Sequence, residues 1–160
     1  MGKSIRKDRL IKEYIHDPYF TKEKYHDPSV CKKCGVVFHD GIFEWIEPVP
    51  ENAESIVCPA CRRIEDRYEG GYVVLEGEFL KEHKDEIINL IKNTEEEEMA
   101  YRPLERIIEI KEEDGKIVVT TTYEHLARRI GEAVHRAYKG DLIIQYPEGW
   151  KYARVHWVRN

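Results

Sequence analysis

Two pairs of cysteines with the same spacing constrain this chain more than any other feature. Cys31 and Cys34 form one C-x-x-C pair, Cys58 and Cys61 form the other, 23 residues separate the pairs, and the sequence has no further cysteine. Two C-x-x-C turns can complete a tetrahedral site of four sulfurs, which suits Zn²⁺. The spacing therefore predicts one structural zinc ion, because four thiolates leave no coordination position for water.

Two other uses of the same thiols stay open. Four cysteines also suit an iron–sulfur cluster, so iron is the alternative metal. An oxidoreductase would use a C-x-x-C pair for thiol exchange, but such a pair is expected singly beside a βαβ unit. Here two pairs flank a hairpin signal instead, which favours metal binding.

The residues around the cysteines predict a treble-clef or zinc-ribbon module over residues 29–70, called here the cysteine module. "VVFHDGIFEW" contains Asp40-Gly41 between two apolar runs, which is a strong hairpin signal. "RRIEDRY" follows the second pair and reads as a short helix. His39 lies at the hairpin turn, where we expect a surface residue because four thiolates already satisfy one ion.

Residues 71–160, called here the sheet module, predict an α+β domain. "YVVLEG" reads as a strand, and apolar residues at helical spacing follow it in "EFLKEHKDEIINLIKN". A second hairpin is expected around Asp114-Gly115, and "DLIIQY" and "YARVHWV" read as closing strands. Thr121 and Glu124 match a capping box, which would start a helix between the second hairpin and the closing strands. The order βαββαβ plus one C-terminal strand predicts a ferredoxin-like fold.

Charge and composition narrow the function. The net charge of the 160 residues is -5, which argues against a protein that coats nucleic acid in general. Residues 1–28 are nevertheless expected to be a basic N-terminal arm, because positive charge is concentrated in the first part of this segment. The chain has neither an apolar run of membrane-spanning length nor an apolar signal segment near residue 1, so we expect a cytoplasmic, reducing location. Ser55 lacks a G-x-S-x-G context, and no phosphate-binding glycine loop occurs, so we expect neither enzymatic activity nor a small-molecule substrate.

Basic and aromatic residues give candidate contacts to RNA. In the last predicted strand, one alternating set combines an aromatic ring, a guanidinium and an imidazole, a mixture that RNA-recognition sheets use, although solubility of an edge strand explains it equally well. The other candidates lie in the basic arm and beside the cysteines. The full set is Lys3, Arg6, Lys7, Arg9, Lys32, Lys33, Arg62, Arg63, Tyr152, Arg154 and His156.

Three segments together give a resemblance to a known family. "CKKCG", "CPACRR" and "DGKIVVTTTYEHLARRIGEAVHRAY" resemble the archaeal and bacterial relatives of the Nmd-three family, over about residues 30–146. Eukaryotic members of that family are zinc proteins that bind the large ribosomal subunit and act as its nuclear export adaptor. The larger members carry more C-x-x-C pairs and further domains than this chain. The resemblance implies zinc ligation by the four cysteines and association with the ribosome or ribosomal RNA.

The sequence thus supports two functional hypotheses. The first is a non-enzymatic, zinc-containing protein that binds ribosomal RNA, with a role in ribosome maturation, quality control or dormancy. The second is a protein–protein adaptor that zinc stabilises and that does not bind RNA directly. The net charge and the acidic block Glu95–Glu98 favour this second hypothesis.

Overall fold

A computed structural model describes Tyr19 and residues 25–149 and 151–160 of the chain. Most of the expected basic arm, including Lys3, Arg6, Lys7 and Arg9, lies outside these residues. The described helices and strands are β1 (Ser29–Cys31), β2 (Val37–His39), β3 (Ile42–Glu44), β4 (Glu54–Ile56), α1 (Pro59–Asp66), β5 (Gly71–Glu76), α2 (Glu78–Tyr101), β6 (Ile107–Glu113), β7 (Lys116–Thr121), α3 (Glu124–Tyr138), β8 (Asp141–Gln145) and β9 (Ala153–Val158).

The first four strands form a small sheet in the order β3-β2-β1-β4. Strand β1 pairs antiparallel with β2 and parallel with β4. The predicted hairpin is confirmed, since β2 and β3 pair antiparallel across Asp40 and Gly41, whose φ angles are 53° and 83°. Two successive positive φ angles are typical of the tight turns that Asp-Gly favours. Because β1 and β4 are neighbours in this sheet, the segments that precede the two cysteine pairs lie side by side.

The remaining five strands form a mixed sheet in the order β6-β7-β5-β9-β8. The order of strands and helices along the chain agrees with the prediction, and the second hairpin turns at Asp114 and Gly115. The ferredoxin-like sheet does not form, because β9 lies parallel beside β5 where β8 was expected. Burial explains this placement: Ala153 and Trp157 of β9 are fully buried, whereas Ile143 of β8 is 56% exposed and suits an edge.

Helices α2 and α3 cover one face of this sheet and enclose its core. The core residues are Val73, Leu75, Leu80, Ile87, Ile91, Ile117, Val119, Leu126, Ala127, Ile130, Val134, Ala153, Val155 and Trp157. The alternation predicted for β9 is confirmed, because its apolar residues face the helices while Arg154 and His156 are exposed. Within the described ranges, none of the helices is long and apolar enough to cross a membrane.

The start of α3 differs from the predicted capping box. The helix begins at Glu124, and Thr121 is the last residue of β7, where its hydroxyl donates to the carbonyl of Tyr123 at 2.7 Å. A residue distant in sequence takes over the cap, because Oε1 of Glu105 accepts a hydrogen bond from the backbone N–H of Leu126 at 2.8 Å. A carboxylate at a helix N-terminus also interacts favourably with the helix dipole.

The two modules meet in close contact. Gly70 and Gly71, where the two modules join, pack tightly: a Cβ at Gly70 would lie 2.5 Å from the carbonyl oxygen of Thr122. Leu104 of the sheet module packs into the hydrophobic cluster that surrounds the cysteines. The indole of Trp45 donates to the carbonyl of Met99 at 2.7 Å. These contacts fix the cysteine module against the end of α2 and the start of β6.

Candidate metal centre

The four cysteine sulfurs lie together, and all of them are within 4.8 Å of one another. Cys31 and Cys61 are 3.8 Å apart at their Sγ atoms, as are Cys34 and Cys58. A tetrahedron with metal–sulfur bonds of about 2.3 Å has edges of about 3.8 Å. The spacing of the sulfurs therefore fits a single tetrahedral ion, and the four cysteines can hold one metal ion.

Each cysteine pair is positioned by a defined piece of backbone. Cys31 ends β1, and Gly35, at φ 88°, allows the chain to turn so that its N–H donates to the carbonyl of Cys31 at 2.9 Å. Cys58 caps α1, Pro59 follows at the first helical position, and Cys61 lies in the first turn. Since β1 and β4 are parallel neighbours, the two cysteine pairs lie at the same end of the small sheet.

Backbone N–H groups point at the sulfurs. The N–H groups of Lys33 and Cys58 donate to Sγ of Cys31 at 3.4 and 3.3 Å. The N–H of Cys61 donates to Sγ of Cys58 at 3.4 Å, within the N-terminal turn of α1. Donors and a helix N-terminus stabilise negative charge on sulfur, so this environment favours thiolates and hence metal binding.

Arg106 of the sheet module reaches into the sulfur cluster. Its Nη2 donates to Sγ of Cys34 at 3.1 Å, and its Nη1 lies 3.9 Å from Sγ of Cys61. Nε of the same side chain donates to the carbonyl of Pro103 at 2.7 Å, and the residue is 6% exposed. Four thiolates around a divalent ion carry two negative charges, and this buried guanidinium offsets one of them. Sequence reasoning missed Arg106, which lies in no recognisable motif.

The sulfurs differ in acidity. A hydrogen bond from the Cys58 thiol lowers the pKa of Cys34 to about 4, and Arg106 acts in the same direction. The same hydrogen bond, together with burial, raises the pKa of Cys58. Burial also raises the pKa of Cys61. The hydrogen bond and Arg106 thus favour negative charge on Cys34, whereas burial disfavours it on Cys58 and Cys61, so a cation beside these sulfurs would favour their ionisation.

A second group with metal-binding side chains lies on the surface and consists of Asp27, His39 and Asp40. Nδ1 of His39 is 2.8 Å from Oδ1 of Asp27, and its Nε2 is 3.5 Å from Oδ2 of Asp40. The hydrogen bond between His39 and Asp27 raises the pKa of the imidazole and lowers that of the carboxyl. Mutual ion pairing accounts for this exposed group, and His39 ends β2 at the hairpin turn as expected.

Three of the candidate RNA contacts surround the cysteines on the surface. Lys32, Lys33 and Arg62 are all exposed. The two lysines lie between the cysteines of the first pair, and Arg62 directly follows the second pair. Lys33 pairs with Glu65 of α1. The guanidinium of Arg62 lies 5.9 Å from the ring centroid of Tyr19. These three cations come together only because the two cysteine pairs do.

Arg63 does not belong to that surface. The residue is 5% exposed, and its guanidinium lies 4.9 Å from the ring of Tyr68 and 4.2 Å from the ring of Tyr123. Its Nη1 donates to the carbonyl of Thr122 at 2.9 Å. Arg63 therefore joins α1 to the sheet module and is too buried to contact phosphate.

The remaining candidates lie on the sheet face opposite the helices. Arg154 and His156 are exposed there, and His156 pairs with Glu76 of the neighbouring strand. Tyr152 is half-buried, and its hydroxyl donates to Glu69. The guanidinium of Arg154 lies 6.0 Å from the ring of Tyr152. The aromatic ring and the guanidinium are thus adjacent, while part of the positive charge on this face is already paired.

The fold and the site together define an α+β protein with a four-cysteine group that can hold one metal ion. Comparisons with protein-family models, with curated proteins and with solved structures give no match. The resemblance to the Nmd-three family therefore stays a prediction that rests on the quoted sequence segments.

Proposed function

We propose that this is a non-enzymatic zinc protein that binds ribosomal RNA, in association with the large ribosomal subunit, and acts in ribosome maturation, quality control or dormancy. Zinc is favoured over a cluster of several irons, because sulfurs only 3.8 Å apart match one ion. Zinc also suits a closed site of buried thiolates in a reducing, cytoplasmic compartment.

A treble-clef zinc finger is the finer fold that we propose for the cysteine module. The first cysteine pair follows β1, the β2–β3 hairpin comes next, and the second pair opens α1 with Cys58 as its cap. This order of turn, hairpin and helix supports the assignment. A module of this size has too small a core to fold on burial alone, so metal binding would supply much of its stability.

The observation that carries the RNA proposal is the cluster of exposed cations around the sulfurs. Lys32 and Lys33 project from the first cysteine pair and Arg62 from the second, so one metal ion would hold all three on a rigid surface. Lysine and arginine bind phosphates, and a fixed cluster of them neutralises several phosphates at once. Arg154 and Tyr152 offer a second contact on the sheet, where a base can stack. The resemblance to the Nmd-three family supports the ribosome as the source of the RNA.

Co-sedimentation tests this proposal. The tagged full-length chain is expected in the large-subunit and intact-ribosome fractions of a sucrose gradient at low salt. It should leave those fractions as salt rises, because counterions compete for phosphate. Charge reversal of Lys32, Lys33 and Arg62 to Glu should move the protein to the top of the gradient.

A matched variant separates local contacts from net charge. Reversal of Lys81, Lys84 and Lys92 to Glu makes the same change in net charge on α2, which carries none of the four cysteines. This control should still sediment with ribosomes. Loss of sedimentation in both variants, or in neither, would remove the support for a specific RNA-binding surface around the metal.

A second candidate function is the protein–protein adaptor. It is favoured by Ile143 and Tyr146, which are 56% and 55% exposed at the edge of the sheet formed by β8. Exposed apolar side chains on an edge strand suit pairing with another protein. Glu95 and Glu98 contribute less to this function than the sequence indicates, because both carboxylates already have partners. Glu95 accepts a hydrogen bond from the N–H of Ile107, and Glu98 pairs with His125. An adaptor would lose its partners on Ile143→Lys and keep them on charge reversal around the cysteines.

A further inference from the structure

A cavity of about 450 Å³ lies where the two modules meet. Ile42 and Phe43 of the β2–β3 hairpin form one side of this junction cavity. Tyr101, Glu105 and Tyr123 of the sheet module are among the residues that form the other. Its volume falls in the range of small-ligand sites, and none of the functional contacts discussed above uses it.

Glu105 provides a buried acceptor in this cavity. The residue is 8% exposed, and its Oε1 accepts the hydrogen bond from the N–H of Leu126 at 2.8 Å. Its Oε2 accepts no hydrogen bond from the part of the chain that the structure describes. A carboxylate has about four acceptor positions, so this side chain keeps unused capacity for a ligand with N–H donors.

The walls of the cavity select the kind of ligand. Tyr101, which is 85% exposed, supplies a ring on which a planar group can stack. Arg102 and Lys151 also line the cavity and supply positive charge. Two cations disfavour a cationic ligand such as an arginine side chain, and they favour a planar neutral group attached to phosphate.

We propose that the junction cavity binds an unpaired guanine base of RNA, with Glu105 as the residue that reads the base. The inference rests on the proposed RNA-binding function. The Watson–Crick edge of guanine carries two adjacent donors, N1–H and the N2 amino group, which match the two oxygens of one carboxylate. Adenine places an acceptor at N1, and uracil places carbonyl groups beside its single N–H, so both would be repelled. The base would stack on Tyr101, with its phosphates near Arg102 and Lys151.

Single-stranded oligouridylates with one central guanosine, inosine or adenosine test this inference by fluorescence anisotropy on the full chain at about pH 8.5, where the Glu105 carboxyl, with its pKa raised by burial to about 7, is ionised. The guanosine strand should bind at least about fivefold more tightly than the adenosine strand, because a two-donor base contact is worth about 1–3 kcal/mol. Inosine keeps N1–H but lacks the N2 amino group, so its strand should bind with intermediate affinity.

Variants at the cavity complete the test. Glu105→Gln can still accept from Leu126 but presents an amide N–H₂ to the base, so the preference for guanosine should disappear. Glu97→Gln, on the exposed side of α2, is the matched control and should keep the preference. Tyr101→Ala, at a residue too exposed to affect folding, should weaken binding of the guanosine strand about fivefold or more through lost stacking.

The possible outcomes distinguish the guanine site from the proposed RNA-binding function on which it rests. Equal affinity for the three strands, or a guanosine preference that survives Glu105→Gln, would overturn the guanine site and leave RNA binding intact. Failure to bind any of the strands would overturn the guanine site, and RNA binding would be lost with it if the chain also fails to co-sediment with ribosomes.

Discussion

Arg106 donates a 3.1 Å hydrogen bond to the sulfur of Cys34, across 72 residues of sequence. The backbone N–H of the same arginine donates to the hydroxyl of Thr122 at 2.8 Å, so the residue is anchored in the sheet module. One side chain thus supports the sulfur cluster of one module from the frame of the other. Metal binding at the four cysteines is therefore expected to depend on the contact between the modules.

Arg106→Met should weaken metal binding about 10- to 100-fold, the usual effect of losing a residue that supports a metal ligand. Methionine keeps an apolar stem in the same space but removes both the hydrogen bond to Cys34 and the positive charge. Competition with a chromogenic zinc chelator measures the affinity.

Arg136→Met, on the exposed last turn of α3, is the control for this substitution and should bind the metal as the wild type does. Equal affinity in Arg106→Met and the wild type would show that the guanidinium contributes nothing to the site.

Chelation of the metal should unfold the cysteine module before the sheet module. Among the residues that the structure describes, the core around the cysteines is small, with seven buried residues of which three are themselves cysteines, so we expect ligation to supply much of its folding energy. Hydrogen exchange followed by mass spectrometry should show rapid exchange in β1 to β4 and α1 after chelation, while β5, β7 and β9 stay protected.

Cys58→Ala should reproduce the same exchange pattern without a chelator, because three sulfurs hold the ion less well than four. Metal analysis should find one ion per chain in the wild type. Uniform loss of protection across both modules would contradict a separate folding role for the metal.

The sequence predicted those features that depend on neighbours along the chain. Each C-x-x-C pair and each Asp-Gly hairpin depends on residues within a few positions of one another. The equal spacing of the two cysteine pairs predicted that they form one four-sulfur group, although 23 residues separate them. Arg106 and Glu105 act on partners that the fold alone brings close, so no local pattern marks them. The burial of Arg63 likewise depends on Tyr123, which is 60 residues away.

The position of β9 escaped prediction for a related reason. Its apolar alternation correctly identified the buried face, but alternation within one strand contains no information about its neighbours in the sheet. Inserting β9 beside β5 places its apolar residues, including Trp157, at the centre of the core and leaves β8 at the edge. The packing of the whole core decides whether β8 or β9 lies beside β5, and this packing cannot be read from either strand alone.

Gly131→Ala should destabilise the protein although alanine favours helix. The added Cβ would lie 2.4 Å from Cγ1 of Val155 and 3.1 Å from Cδ1 of Leu142, both in the packed core between α3 and the sheet. Overpacking costs about 1–3 kcal/mol, which exceeds the helix gain of about 0.5–1 kcal/mol. Chemical denaturation gives the free energy of unfolding.

A double-mutant cycle checks the cause of this loss. Val155→Ala removes the methyl group that the new Cβ would meet, so Gly131→Ala should cost less, or even stabilise, in that background. Equal costs in the two backgrounds would place the effect of Gly131→Ala elsewhere than at Val155.

Glu105 should make stability depend on pH between its unfolded and folded pKa values. Burial raises the pKa of this carboxyl from an ordinary 4.5 to about 7, with Glu124 and Glu98 acting in the same direction and Arg102 against it. Between these values the folded protein binds more protons than the unfolded chain, so the free energy of unfolding falls as pH rises and levels off above about pH 7. The total loss is about 3 kcal/mol.

Glu105→Gln removes this titration and keeps an acceptor for Leu126, so its stability should fall less than that of the wild type between about pH 5 and about pH 8. The wild type and the variant share the same thiols, so the pH dependence of metal binding cancels when the two are compared at the same saturating zinc concentration. The variant should therefore gain relative to the wild type as pH rises, by up to about 3 kcal/mol. Parallel stability profiles for the two proteins in urea denaturation would mean that the carboxyl titrates in the folded state as it does in the unfolded chain.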